Sequence, residues 1–154
     1  MNGQRKLAIA LVLLVALSLV LTACGGPKPA AGPKKMSAED IAKKILELTS
    51  FKQWEALWPY LHPDAQAMFK GKDEYVASRK NAPEVTIEKF EVKEAISVAE
   101  WTDKGGTEKT YKDVAEVPIS IEASVPVVGK QTMKQTMHLA KAKDGTWRFF
   151  TNKP

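Results

Sequence analysis

Cysteine and histidine are nearly absent: among 154 residues there is one Cys and there are two His. A single thiol excludes an internal disulfide and any Cys-rich zinc site. His62 and His138 are too far apart in sequence for any metal-ligand spacing. A glycine-rich phosphate loop is missing too, because Gly105-Gly106 lies between two strand-like runs rather than between a strand and a helix. No cofactor motif remains. Acids are absent from the first 35 residues, and residues 36–154 hold all 18 Asp and Glu together with 18 Lys and Arg. The net charge of +5 and the pI of about 9.2 therefore come from Arg5, Lys6, Lys28, Lys34 and Lys35. A neutral remainder removes the electrostatic footprint of a nucleic-acid binder. An apolar content of 44% excludes a wholly disordered chain, and the length fits one domain.

What is present begins with an address. Residues 1–6 carry Arg5 and Lys6, and residues 7–23 are apolar except for Ser18 and Thr22. A basic start, a short apolar core and small residues before a cleavage point make a secretory signal peptide over residues 1–23. The rival reading is an uncleaved transmembrane helix, since 17 residues reach the bottom of the spanning range of about 17–25. The residues that follow favour the signal. Leu21-Thr22-Ala23-Cys24 resembles the lipobox of bacterial lipoproteins. That resemblance implies cleavage before Cys24, diacylglycerol on its thiol, and a lipid anchor in the cell membrane. Two acyl chains hold a protein stably where one is marginal. In that family Gly25, in place of Asp, implies the outer membrane if the cell has two.

Residues 25–35, GGPKPAAGPKK, contain no large apolar residue and build no core. With Cys24 they read as a tether, reaching at most roughly 34 Å at polyproline spacing. Lys28, Lys34 and Lys35 are placed to touch anionic head groups or simply to keep the spacer soluble.

Residues 36–154 read as one domain. Ser37 and the acids Glu39 and Asp40 mark a helix start, and Ile41, Ile45 and Leu48 recur at helical spacing, which predicts a helix over 38–49. Ser50-x-x-Gln53 looks like a second cap, ahead of Trp54, Leu57, Trp58 and Leu61 on one face. Pro59 predicts a kink near Trp58. Asp64 is expected to cap a short helix closed by Gly71, and Asp73 another, with Tyr75 and Val76 inward. From Val85 the period becomes two. Phe90, Val92, Ile96 and Val98 share a face, and Glu94 predicts a bulge or an exposed end near it. Asp103 to Gly106 signals a hairpin. Ala115, Val117, Ile119, Ile121, Ala123 and Val125 line a second strand, in which Pro118 demands an edge or a bulge. Met133, Met137 and Leu139 line a third, and Trp147 and Phe149 a last one after the Asp144-Gly145 turn. Helices followed by an antiparallel meander predict α+β, with N-terminal helices packed on a curved sheet of about four strands.

The stretch Trp54-x-x-Leu57-Trp58-x-x-Leu61-His62-Pro63-Asp64, the long hairpins and the ending Asp144 to Phe149 resemble the nuclear transport factor 2-like (cystatin-like) superfamily, over residues 37–152. That resemblance implies a cone-shaped fold with a pocket between helices and sheet. Some members are isomerases or dehydratases with Asp, His or Tyr in the cone, and many only bind ligands or partners. Fold alone assigns no activity. His62 reads as a general base or as a residue ending a helix. Asp64 reads better as a cap and Asp113 as a strand-end residue. His138 alternates with Met137 and Leu139, so it faces away from their apolar row. No catalytic or metal set emerges. The candidate pocket is Trp54, Trp58, Tyr75, Met133, Met137 and Trp147, an adaptable indole-lined space for a lipid-like or aromatic ligand, or else plain core. The expected protein is a lipid-anchored, non-catalytic module on the extracytoplasmic face that binds a small apolar ligand or an envelope protein. The alternatives are an isomerase or dehydratase of the same fold, and a domain that forms a homodimer without a ligand.

Overall fold

The computed structural model describes residues 36–151. The expected signal peptide, the expected lipidation site Cys24 and the expected tether lie outside the described residues. The described residues belong to one compact unit. No helix among them is long and apolar enough to cross a membrane.

Helix α1 spans Ala38–Ser50. The Ser37 hydroxyl accepts the Asp40 backbone N–H at 3.1 Å, and Glu39 and Asp40 sit at the positive end of the helix dipole. Ile41, Ile45, Leu46 and Leu48 are buried. Ser50 does not cap a second helix. It stays in the last turn of α1 and donates its hydroxyl to the Glu47 carbonyl at 2.8 Å. Helix α2, Trp54–Leu57, starts at Gln53 with no side-chain cap and passes into a 3₁₀ turn, Trp58–Tyr60, where Pro59 stands.

The next cap falls on His62 rather than on Asp64. Pro63 fits the first helical position, because its fixed φ suits the helix and its missing N–H is not needed there. Helix α3 is thus Pro63–Gln66, and the Nδ1 of His62 accepts the Asp64 N–H at 3.3 Å. Helix α4, Lys72–Lys80, begins after Gly71, with Asp73 in its first turn instead of at its cap. Tyr75 and Val76 turn inward as expected.

Five strands follow: β1 Thr86–Val92, β2 Ile96–Thr102, β3 Thr110–Val125, β4 Gly129–Lys141 and β5 Trp147–Phe149. All pair antiparallel in an open, curved sheet. The class is α+β. β1 and β2 lie in succession along the same side of β3, so the five strands fill four positions. Between them three residues oppose two, since Val92 pairs with Ile119 and Ile96 with Glu116. This is the bulge expected at Glu94. It sits opposite Pro118, whose carbonyl accepts the Lys93 N–H at 2.9 Å and which has no N–H to return.

The odd-numbered residues of β3 from Ala115 to Ala123 are buried against the apolar stripe of α1. Each such Ile, Leu or Val contributes about 1.5–3 kcal/mol when fully buried. The His62 N–H donates to the Phe149 carbonyl at 2.9 Å, joining the α3 segment to β5.

Candidate functional site

A cavity of about 480 Å³ opens between the end of α1, helices α2 and α4, and the starts of β1 and the last segment. Leu57, Tyr75 and Phe149 form its buried floor, and Trp54 and Ile87 its half-buried walls. The volume falls in the ~300–1,000 Å³ range of small-molecule sites. The Arg79 guanidinium lies 5.3 Å from the centre of the Tyr75 ring. One helical turn separates them, so α4 brings a cation and an aromatic face together. Burial pushes the Tyr75 hydroxyl up to about 12, so it stays protonated near neutrality. Among the residues lining this cavity the one carboxylate is Glu84. It is exposed at the rim and is held by the Lys52 ammonium at 2.5 Å, which lowers its pKa. Chemically, the space accepts an apolar body, with the Arg79 guanidinium in its wall beside the Tyr75 ring.

Of the six candidate pocket residues, Trp54 and Tyr75 line this cavity. Trp58 packs between Tyr75, at 5.7 Å, and Phe69, at 6.5 Å, and lines a separate groove with His62 and Arg148. Met137 borders a third depression together with Ile119, Ile121 and Gln135. Met133 and Trp147 pack against the core, and the Lys141 ammonium lies 4.9 Å from the Trp147 ring.

A second cluster gathers around His62. Its ring stacks on Phe150 at 4.8 Å and meets the edge of Tyr111 at 5.0 Å. Trp101 contacts Tyr111, Phe150 and His138. The Asp64 carboxylate accepts from Lys109 Nζ at 2.7 Å and from the Tyr111 hydroxyl at 3.0 Å. Those hydrogen bonds hold Asp64 below its usual range, the Lys109 bond most of all. Burial lowers the His62 pKa, against the pull of Asp64. Burial also raises the Tyr111 hydroxyl to about 12. These groups tie the α3 segment to the β2–β3 hairpin. They do not face the 480 Å³ cavity.

Sequence reasoning missed Arg79, although its spacing from Tyr75 on a helix was a readable signal. It also missed the cluster of Trp101, Tyr111 and Phe150. Trp101 and Tyr111 pair across the hairpin, but the alternation is interrupted: Asp113, inside β3, takes φ 52°, and both Val114 and Ala115 are buried. Strand parity therefore did not place these rings. Among the described residues no group of three or more His, Cys, Asp or Glu forms a metal site. No protein-family model matches this chain, and no curated protein sequence matches it.

Proposed function

We propose that this chain is a bacterial lipoprotein of the nuclear transport factor 2-like type. Cys24 carries diacylglycerol, and the domain on the extracytoplasmic face binds a small, largely apolar ligand without transforming it. The cavity floored by Leu57, Tyr75 and Phe149, with Arg79 at its wall, carries the binding part of this reading. The order Leu21-Thr22-Ala23-Cys24 after the apolar run carries the anchor. Against an isomerase or dehydratase stands the lining itself. Its carboxylate Glu84 is exposed and paired with Lys52, whereas His62, Asp64 and Tyr111 bond among themselves and their neighbours elsewhere.

Native mass spectrometry of residues 36–154 from the native host tests the ligand. A co-purifying small molecule that is lost in Ile87→Trp, which fills the cavity, is the expected result. An empty monomer, or an empty dimer, overturns the binding reading, and the dimer would favour the assembly alternative. Labelled fatty acid tests the anchor. Incorporation into wild type and none into Cys24→Ser is expected, and labelling of Cys24→Ser would overturn it.

A further inference from the structure

Among the described residues five large apolar side chains are exposed: Phe51, Val85, Ile96, Val127 and Val128. Four of them collect at one end of the sheet. Thr86 pairs with Ser124, so Val85 lies beside the end of β3, from which Val127 and Val128 follow directly in the hairpin turn. Lys52, next to Phe51, reaches Glu84, next to Val85. Phe51 is 74% exposed, Val128 63%, and Val127 fully so.

The turn itself is unusual. The Val128 N–H donates to the Val125 carbonyl at 3.2 Å, with Pro126 second and Val127 third in the turn. Val127 has φ 71°. These are the marks of a type II turn, whose third position calls for Gly or Asn. A β-branched residue there is strained. The chain thus holds an apolar side chain fully in solvent at a position the backbone disfavours, which points to a use for that side chain.

The same end carries the mouth of the 480 Å³ cavity, since its exposed rim includes Lys52, Pro83, Glu84 and Val85. We infer that this end is a membrane-docking edge: Phe51, Val85, Val127 and Val128 dip into the lipid bilayer and present the cavity mouth to it. The inference rests on the proposed anchor and cavity, and it makes membrane lipid the source of the ligand.

Two observations favour a bilayer over another occupant. The tether is long enough, because α1 runs about 20 Å from the chain's entry to Phe51 at 1.5 Å per residue, against a reach of roughly 34 Å. The exposed Lys and Glu side chains around this end pair with one another: Lys52 with Glu84, Lys80 with Glu55, Lys89 with Glu122 and Lys130 with Glu88. Neither attraction to nor repulsion from a partner's charge then governs approach, so apolar contact does. Such binding is insensitive to salt.

Flotation of residues 36–154 with phosphatidylcholine vesicles tests this. The domain floats with the vesicles, equally at low and high salt. Val127→Asn with Val128→Ser lowers binding about tenfold or more, with an unfolding midpoint no lower than wild type. Ile96→Ser, at the exposed apolar site away from this end, leaves binding unchanged. Equal binding of the valine variant, or an equal loss in Ile96→Ser, overturns the inference. So does binding that needs added phosphatidylglycerol and vanishes in salt. A wild-type dimer that ignores vesicles and dissociates in the valine variant assigns the edge to a second copy. No flotation with a ligand still bound in the cavity defeats the docking edge alone. Flotation with an empty cavity defeats the ligand reading alone.

Discussion

Trp101 lies flat against His138, with ring centroids 4.3 Å apart and planes 11° from parallel. The two residues sit on β2 and β4, which do not pair directly with each other, since β3 runs between them. The indole therefore reaches across the face of β3 to cover the imidazole. His138 also lies 3.3 Å from a Glu116 carboxylate oxygen.

This stack makes Trp101 a structural residue of the cluster around His62. Trp101→Ala is expected to lower stability by about 2 kcal/mol, less than a full core truncation because the ring is half exposed. Trp101→Phe should retain most of it. Urea unfolding measures both, and an unchanged midpoint in Trp101→Ala would mean that the stack stabilises nothing.

The His62 cluster sets an acid limit on stability. Burial lowers the folded pKa of His62 below its ordinary value near 6.5. Just below that value the unfolded chain binds the proton more readily, so stability falls as pH drops from about 7 toward the folded pKa. His62→Asn keeps a capping side chain and removes the titration. The expected outcome is a flatter stability curve as pH falls below about 7. Asp64 acts lower on the scale. Its depressed pKa gives stability that is present above the ordinary carboxylate value of about 4 and lost as pH falls through the folded pKa. Asp64→Asn should therefore be weaker than wild type at neutral pH and converge with it in acid. Parallel curves for wild type and His62→Asn would refute the histidine assignment.

Strain at Val127 makes a prediction in the opposite direction. Val127→Asn should raise stability by about 1 kcal/mol, because Asn adopts positive φ at lower cost. The side chain is fully exposed, so no packing is lost. A lower unfolding midpoint would show that the valine contributes to the fold.

In the β2–β3 connection Gly106 leaves no room for a side chain. A Cβ there would stand 2.5 Å from the carboxylate oxygen of buried Asp103 that accepts the Thr107 N–H at 2.7 Å. Gly106→Ala is expected to cost about 1–3 kcal/mol by displacing that carboxylate. Faster hydrogen exchange at Thr107 would report the loss, and unchanged exchange would contradict it.

Much of this was legible in the chain. The stripe of Ile41, Ile45 and Leu48 defined α1, alternation in β3 defined the sheet's inner face, and Pro59 and Pro118 marked the two interruptions. These features depend on neighbours within a few residues, where periodicity and backbone chemistry act directly. Local signals failed where two rules competed, as at Asp64, where Pro63 drew the cap back to His62.

Local periodicity was enough to give the α+β class, the order of helices and strands, and the buried faces of α1 and β3, though not the exposure of Ile96. The proposed membrane anchor rests on local sequence alone, the order Leu21 to Cys24 after the apolar run. Which inward residues share a space depends on long-range packing: Trp54 and Tyr75 meet Arg79 around one cavity, while Trp58, Met137 and Trp147 serve other contacts. Periodicity states that a side chain points inward. Where it arrives depends on how each helix lies across the sheet and on register between segments distant in the chain. Val85 and Val127 reach one edge for the same reason, because the pairing of β1 with β3 brings together residues that lie far apart in sequence.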